Sequence, residues 1–161
     1  MSNTHEYYIN LKWTGNLGKG TETYRGYSRN HIISIEGKEE IEMSADKLFR
    51  GDVDKYTPEE MLVASVASCH MLWYLHLCAD NGVVVIDYSD KPIGKMIENP
   101  DGSGRFEEIT LYPEVLISDT SLIAKATELH HRANKMCFIA NSLNFEVKHE
   151  TNIKYLGNTE S

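Results

Sequence analysis

The reactive side chains of this chain are three cysteines, Cys69, Cys78 and Cys137, together with seven histidines. The thiols form neither an even-numbered disulfide framework nor a Cys-x-x-Cys zinc pattern. The roles open to them are those of reduced cysteine: nucleophilic attack, oxidation, or packing as a small apolar side chain. A cysteine nucleophile must be a thiolate, yet a free thiol titrates near pH ~8.5 and apolar burial pushes it higher. A cation has to offset that burial. Cys69 lies about three turns into a helical segment, beyond the first turn over which a helix dipole acts, so the cation must come from a side chain. Arg50, in the loop before that segment, is the candidate, because its planar fork can donate to a thiolate and to a substrate oxygen together. Glu59, at the start of the segment, is placed to hold the fork. Full ionisation raises the thiolate population only about tenfold, so the arginine is also needed to stabilise the charge that develops on a leaving group. Arg50 has a plainer reading as well, that of a solvated loop residue.

These residues need elements to position them. Thr57-Pro58-Glu59-Glu60 reads as a helix start, with Thr57 as cap, Pro58 in the first helical position and Glu60 closing a capping box. The helix is predicted to run to about Asp80, where Asn81-Gly82 supplies a left-handed stop. Leu62, Val66, Cys69, Trp73 and His76 recur every three or four residues and share a face, while Cys78 falls on the opposite side and is assigned to packing. Apolar residues on nearly every side predict that this helix is buried centrally. A second helix, capped by Asp119 or Thr120, is predicted from the steps Leu122, Ala126, Leu129, Ala133, Met136, Ala140 and Leu143; Cys137 adjoins that stripe. Two core helices in one small domain pack closely, so the two thiols can meet.

Alternation of β-formers with polar residues predicts a small antiparallel meander over 7–13, 21–27 and 31–36, with 41–43 pairing briefly. Residues 83–87, extending to 97, and 106–117 predict a long hairpin around the turn 99–104. A last strand over 145–155 precedes a polar tail from about 156. With no repeat and no linker, the expectation is a single α+β domain over 1–161.

A formal charge of −8 and a pI near 5.3 repel phosphate backbones, so nucleic acid is not an expected partner. No basic segment followed by an apolar run opens the chain, and a cytoplasmic location is expected. Residues 61–79 approach the length of a bilayer span but include Ser65, Ser68, His70 and His76, which favours a buried helix and no membrane partner. His70, His76, His130 and His131 match no HExxH pattern, and the adjacent His130 and His131 point to different faces, so neither metal nor bound cofactor is expected. Glu107-Glu108 reads as a strand-edge charge pair.

At these residues the chain resembles the OsmC/Ohr family, in which a Pro-Glu-Glu-(Leu/Met) helix start leads to a cysteine and a second cysteine follows on a later helix. The stretches that carry the likeness are Thr57-Pro58-Glu59-Glu60-Met61-Leu62-Val63-Ala64, Ser68-Cys69-His70 and Cys137-Phe138-Ile139-Ala140-Asn141-Ser142. The resemblance implies an intertwined homodimer in which two central helices pack against antiparallel sheets. It also implies that Cys69 attacks an organic hydroperoxide, that Cys137 condenses with the resulting sulfenic acid, and that an external dithiol or lipoyl-type reductant restores both thiols. Arg50 and Glu59 take the family's activating arginine and its carboxylate partner, with Arg25 and Arg29 as alternative arginines. Phe138 departs from the proline that many members place after the second cysteine. Two other readings share the fold: a non-catalytic dimer that binds a small apolar ligand, and a cysteine-based redox sensor.

Overall fold

At the predicted helix start, the Thr57 amide donates to Glu60 Oε2 at 2.9 Å and the Glu60 amide donates to Thr57 Oγ1 at 3.2 Å, a reciprocal capping box. Helix α1 runs over Pro58–Asp80 and ends at Gly82, whose φ of 72° supplies the left-handed stop. The computed structural model describes residues 3–155; the polar tail expected from about 156 lies outside them. The chain divides into two compact units, Met1–Met61 and Leu62–Ser161.

In the first unit, strands β1 (Asn10–Trp13), β2 (His31–Ser34) and β3 (Ile41–Met43) form an antiparallel meander in that order. The strand expected over 21–27 is absent, and that stretch is a turn held by Arg29. Its guanidinium donates to the Tyr27 and Tyr24 carbonyls at 2.6 and 2.7 Å and lies over both tyrosine rings. A 3-10 turn over Lys47–Phe49 follows β3 and ends at Arg50.

In the second unit the expected long hairpin is broken into β4 (Val85–Ser89), β5 (Ile93–Glu98), β6 (Gly104–Leu111) and β7 (Glu114–Ile117). The breaks fall at Pro92 and Pro113, which cannot donate to a ladder. β5 pairs with β6 and β4 with β7, so one predicted hairpin contributes to two sheets. The expected last strand is likewise split into β8 (Val147–His149), parallel to β6, and β9 (Asn152–Tyr155), parallel to β7. The sheets are therefore mixed, not purely antiparallel.

Helix α2 spans Ile123–Met136, shorter than the predicted stripe, because Cys137 takes an extended φ, ψ of −67°, 109° and a separate 3-10 turn covers Ala140–Ser142. One apolar cluster gathers Tyr74, Leu77, Cys78, Val115, Ile117, Ala126, Leu129 and Ala133; a second gathers Val66, Ile109, Leu111 and Val147. Cys78 is buried in the first, as assigned. α1 is not buried on all sides: Leu72 is 61% exposed.

Candidate active site

Two of the four predicted site residues come together in the second unit. Cys69 is a half-buried free thiol on α1, and Cys137 is a fully buried free thiol at the C-terminal cap of α2. Burial pushes the Cys137 thiol up to about 11; the Ala140 amide, which donates to Cys137 Sγ at 3.4 Å, opposes the shift, and direct interaction with the neighbouring Cys69 thiol adds to it. The carboxyl end of α2 is also the negative end of its dipole, an environment that favours a neutral sulfur. The pair is thus asymmetric: Cys69 is the more exposed of the two, and Cys137 is a buried thiol, held protonated, beside it.

One step along each chain, Trp73 on α1 meets Phe138 edge to face, with ring centroids 5.7 Å apart and planes at 86°. Trp73 lies four positions, about one helical turn, after Cys69 and Phe138 directly follows Cys137, so the aromatic contact is the next rung of the same helix-to-turn packing. Leu72, Trp73 and His76 line a shallow groove there, and Phe138 is 67% exposed.

The other two predicted residues belong to the first unit. Arg50 is exposed and has φ 66°, the left-handed region, the only non-glycine to do so among the described residues. Glu59 is half-buried in the first turn of α1, with Oε2 buried and lacking a hydrogen-bond partner among the described residues. Among the described residues no ion pair joins them. Arg29, an alternative arginine, has its fork committed to two carbonyls and two rings.

Sequence reasoning missed how the histidines assemble. His70 and His130 are fully buried, with His70 Nε2 3.0 Å from His130 Nδ1. His149 on β8 lies with its ring centroid 5.6 Å from that of His70 and 6.2 Å from that of His130. A signal was present for His130, which falls four residues after Ala126 and three before Ala133, on the inward stripe of α2. Nothing local flagged His149, which reaches the cluster only through the β6–β8 ladder, opposite Leu111. Among the described residues no group of three or more His, Cys, Asp or Glu is arranged to hold a metal ion.

Two helices carrying a thiol pair across from mixed three-stranded sheets define an α+β protein of the OsmC type. The family model described as OsmC-like protein matches residues 51–152. An OsmC-like protein of unknown function from Vibrio cholerae O1 biovar eltor superposes with a TM-score of 0.80 at 31% identity, over 92% of this chain and 99% of that one. The chain therefore belongs to the OsmC-like family. More distant structures share the fold: an organic hydroperoxide resistance protein from Elizabethkingia anophelis (TM-score 0.68, 19% identity, 94% and 100% covered) and OhrB of Bacillus subtilis, also named for organic hydroperoxide resistance (0.62, 18%, 91% and 98%). Among curated proteins none matches the chain.

Proposed function

We propose that the protein is a cysteine-dependent peroxidase acting on organic hydroperoxides, and the observation that carries this reading is the asymmetric Cys69–Cys137 pair. The Cys69 thiolate attacks the distal peroxide oxygen, the O–O bond breaks, and the alkoxide takes a proton to leave as alcohol, with Cys69 left as a sulfenic acid. Cys137 then displaces that oxygen as water and forms the disulfide. Two electrons from an external dithiol, lipoyl-type or similar, return both sulfurs to thiols, with no bound cofactor. The groove beside Trp73 and Phe138 supports a substrate with an apolar group in preference to hydrogen peroxide.

Arg50 is the proposed activating cation, with Glu59 as its carboxylate partner. A non-glycine in the left-handed region costs about 1–2 kcal/mol, and such strain is kept where the side chain is needed. Exposed Leu72 and Phe138 favour a homodimer that covers them, which sedimentation at micromolar concentration would show. A reduced compartment such as the cytoplasm suits the thiol pair.

The test is a thiol count with a non-reducing peptide map after one equivalent of cumene hydroperoxide, on the wild type and on Cys69→Ser. A Cys69–Cys137 disulfide in the wild type, absent from the variant, with continued peroxide consumption when dithiol is supplied, is the expected result. Disulfide without turnover would make the chain a redox sensor. Three surviving thiols would leave a ligand-binding dimer.

A further inference from the structure

The buried histidines have no part in the peroxidase reading. Along α1, His70 falls between Val66, in one apolar cluster, and Tyr74, in the other. It meets His130 of α2 through the 3.0 Å nitrogen–nitrogen contact, with the two ring planes only 6° apart, and the Tyr74 ring stacks on His130 with centroids 3.7 Å apart. The helices are thus joined by adjacent rungs: His70 and Tyr74 against His130, then Cys69 and Trp73 against Cys137 and Phe138. His70 directly follows Cys69, and His130 lies two turns before Cys137.

An imidazole–imidazole hydrogen bond needs one nitrogen bearing a proton and one bare. When both rings are neutral, either tautomer satisfies it. A first extra proton keeps the bond but places a positive charge in a buried layer, and a second makes both facing nitrogens donors, which cannot pair. Among the described residues the charge finds no compensation. α1 presents Tyr74; α2 presents His131, which acts on His130; β8 presents His149; and β4 presents Tyr88, against Tyr74. The carboxylate of Glu146 acts on His149, not on the pair. Among the described residues His70 Nδ1 and His130 Nε2 have no hydrogen-bond partner. Burial, the largest cause, holds His70 down to about 4 and His130 down to about 3.

We propose that the His70–His130 hydrogen bond is a positioning clamp for the thiol pair: while both rings are neutral it registers α1 against α2 so that Cys69 and Cys137 meet, and proton uptake releases it. The inference rests on the two cysteines acting as a pair, not on peroxide being their oxidant. Released rings regain water and titrate near ~6.5, so opening is linked to two protons and the open population grows up to about a hundredfold per pH unit below that value. Loss of thiolate alone slows a thiol reaction only about tenfold per unit.

The experiment uses 4,4′-dithiodipyridine, which modifies thiols in acid as well as at neutrality. The first thiopyridone released reports modification of Cys69, and the second reports its displacement by Cys137. The second release is followed from about pH 8 to about pH 4 in the wild type and in the non-titrating double variant His70→Gln/His130→Gln, whose amides can still pair. Expected is a wild-type rate that steepens beyond tenfold per unit between about pH 6.5 and about pH 4, with the helical circular dichroism intact, and a variant that stays near tenfold throughout. Two parallel tenfold profiles overturn the clamp, as does steepening that coincides with loss of helical signal, or absence of a second release at neutral pH. If the double variant does not fold, imidazole nitrogen shifts of the wild type decide: the bare nitrogen of each of the two rings must lose its signal in step with the steepening, and histidines neutral throughout it overturn the proposal. A protein that consumes no peroxide yet passes this test keeps the clamp and loses the peroxidase.

Discussion

Cys137 is held as a thiol by its surroundings, and that sets the pH dependence of its step. With its pKa raised from 9.0 to about 11, its thiolate fraction grows about tenfold per pH unit through the neutral and mildly alkaline range and levels off only near the raised value. Disulfide formation after a single peroxide addition should therefore accelerate about tenfold per unit from about pH 7 to about pH 9, as stopped-flow thiol loss would record; a flat profile would mean that Cys137 is not the resolving thiol. Arg50 permits a test in which stability and function move apart. Glycine accepts its φ of 66° without penalty, so Arg50→Gly should hold or raise stability by up to about 1 kcal/mol in urea titration. Removal of one transition-state donor should cost about 10²–10³ in peroxide turnover. A variant that is unchanged in turnover would return Arg50 to the role of a solvated loop residue.

At the scale of elements, α1 is set by its ends and by what lies against it. The capping box and the Gly82 stop are local and were legible in Thr57-Pro58-Glu59-Glu60 and Asn81-Gly82. Its approach to the β5–β6 sheet was not. Gly94 in β5 has no side chain, and a Cβ there would come within 2.6 Å of Val63 Cγ2 and 2.8 Å of Phe106. Gly94→Ala should push α1 away from the sheet and destabilise the second unit by about 1–3 kcal/mol, measured by denaturant unfolding. Wild-type stability in that variant would show that Val63 and Phe106 yield freely. The truncation of α2 is also tertiary: the apolar steps continue through Ala140 and Leu143, but Cys137 leaves the helix, and Ile139, Ala140 and Leu143 pack instead on the cluster around Val66.

For the whole molecule, buried neutral histidines make stability depend on pH in a window of its own. His70 and His130 sit below the 6.5 of a free histidine, so on acidification the unfolded chain takes up protons first. The stability that their neutrality supports is complete above about pH 6.5 and drains as pH falls toward about 4, on the order of 1.4 kcal/mol per unit for each proton. Carboxylates act lower. Glu108, an acceptor for Lys95 and Lys148 across three strands, is held down to about 2 from 4.5, so its contribution is lost only as pH falls from about 4.5 to about 2. Thermal unfolding of the wild type should therefore already weaken between about pH 6.5 and about 5, and the double glutamine variant should weaken less, keeping only the contribution of His149, which burial also holds below the free value. Equal weakening in both would assign that loss to other groups.

Sequence alone determined what depends on near neighbours and on period: the start and stop of α1, the shared face of Cys69 and Trp73, the assignment of Cys78 to packing, and an α+β chain with the motif spacing of the OsmC/Ohr family. Capping and helical spacing act within a turn or two, and the residues concerned carry them wherever the chain goes. Tertiary structure alone decided the rest. It split one predicted hairpin between two sheets at Pro92 and Pro113, turned 21–27 into a loop around Arg29, and left Leu72 exposed. It also drew His70, His130 and His149 into one buried layer from three separate elements. Such contacts join residues far apart in the chain, and each forms only when the elements between them have packed, which no local spacing encodes.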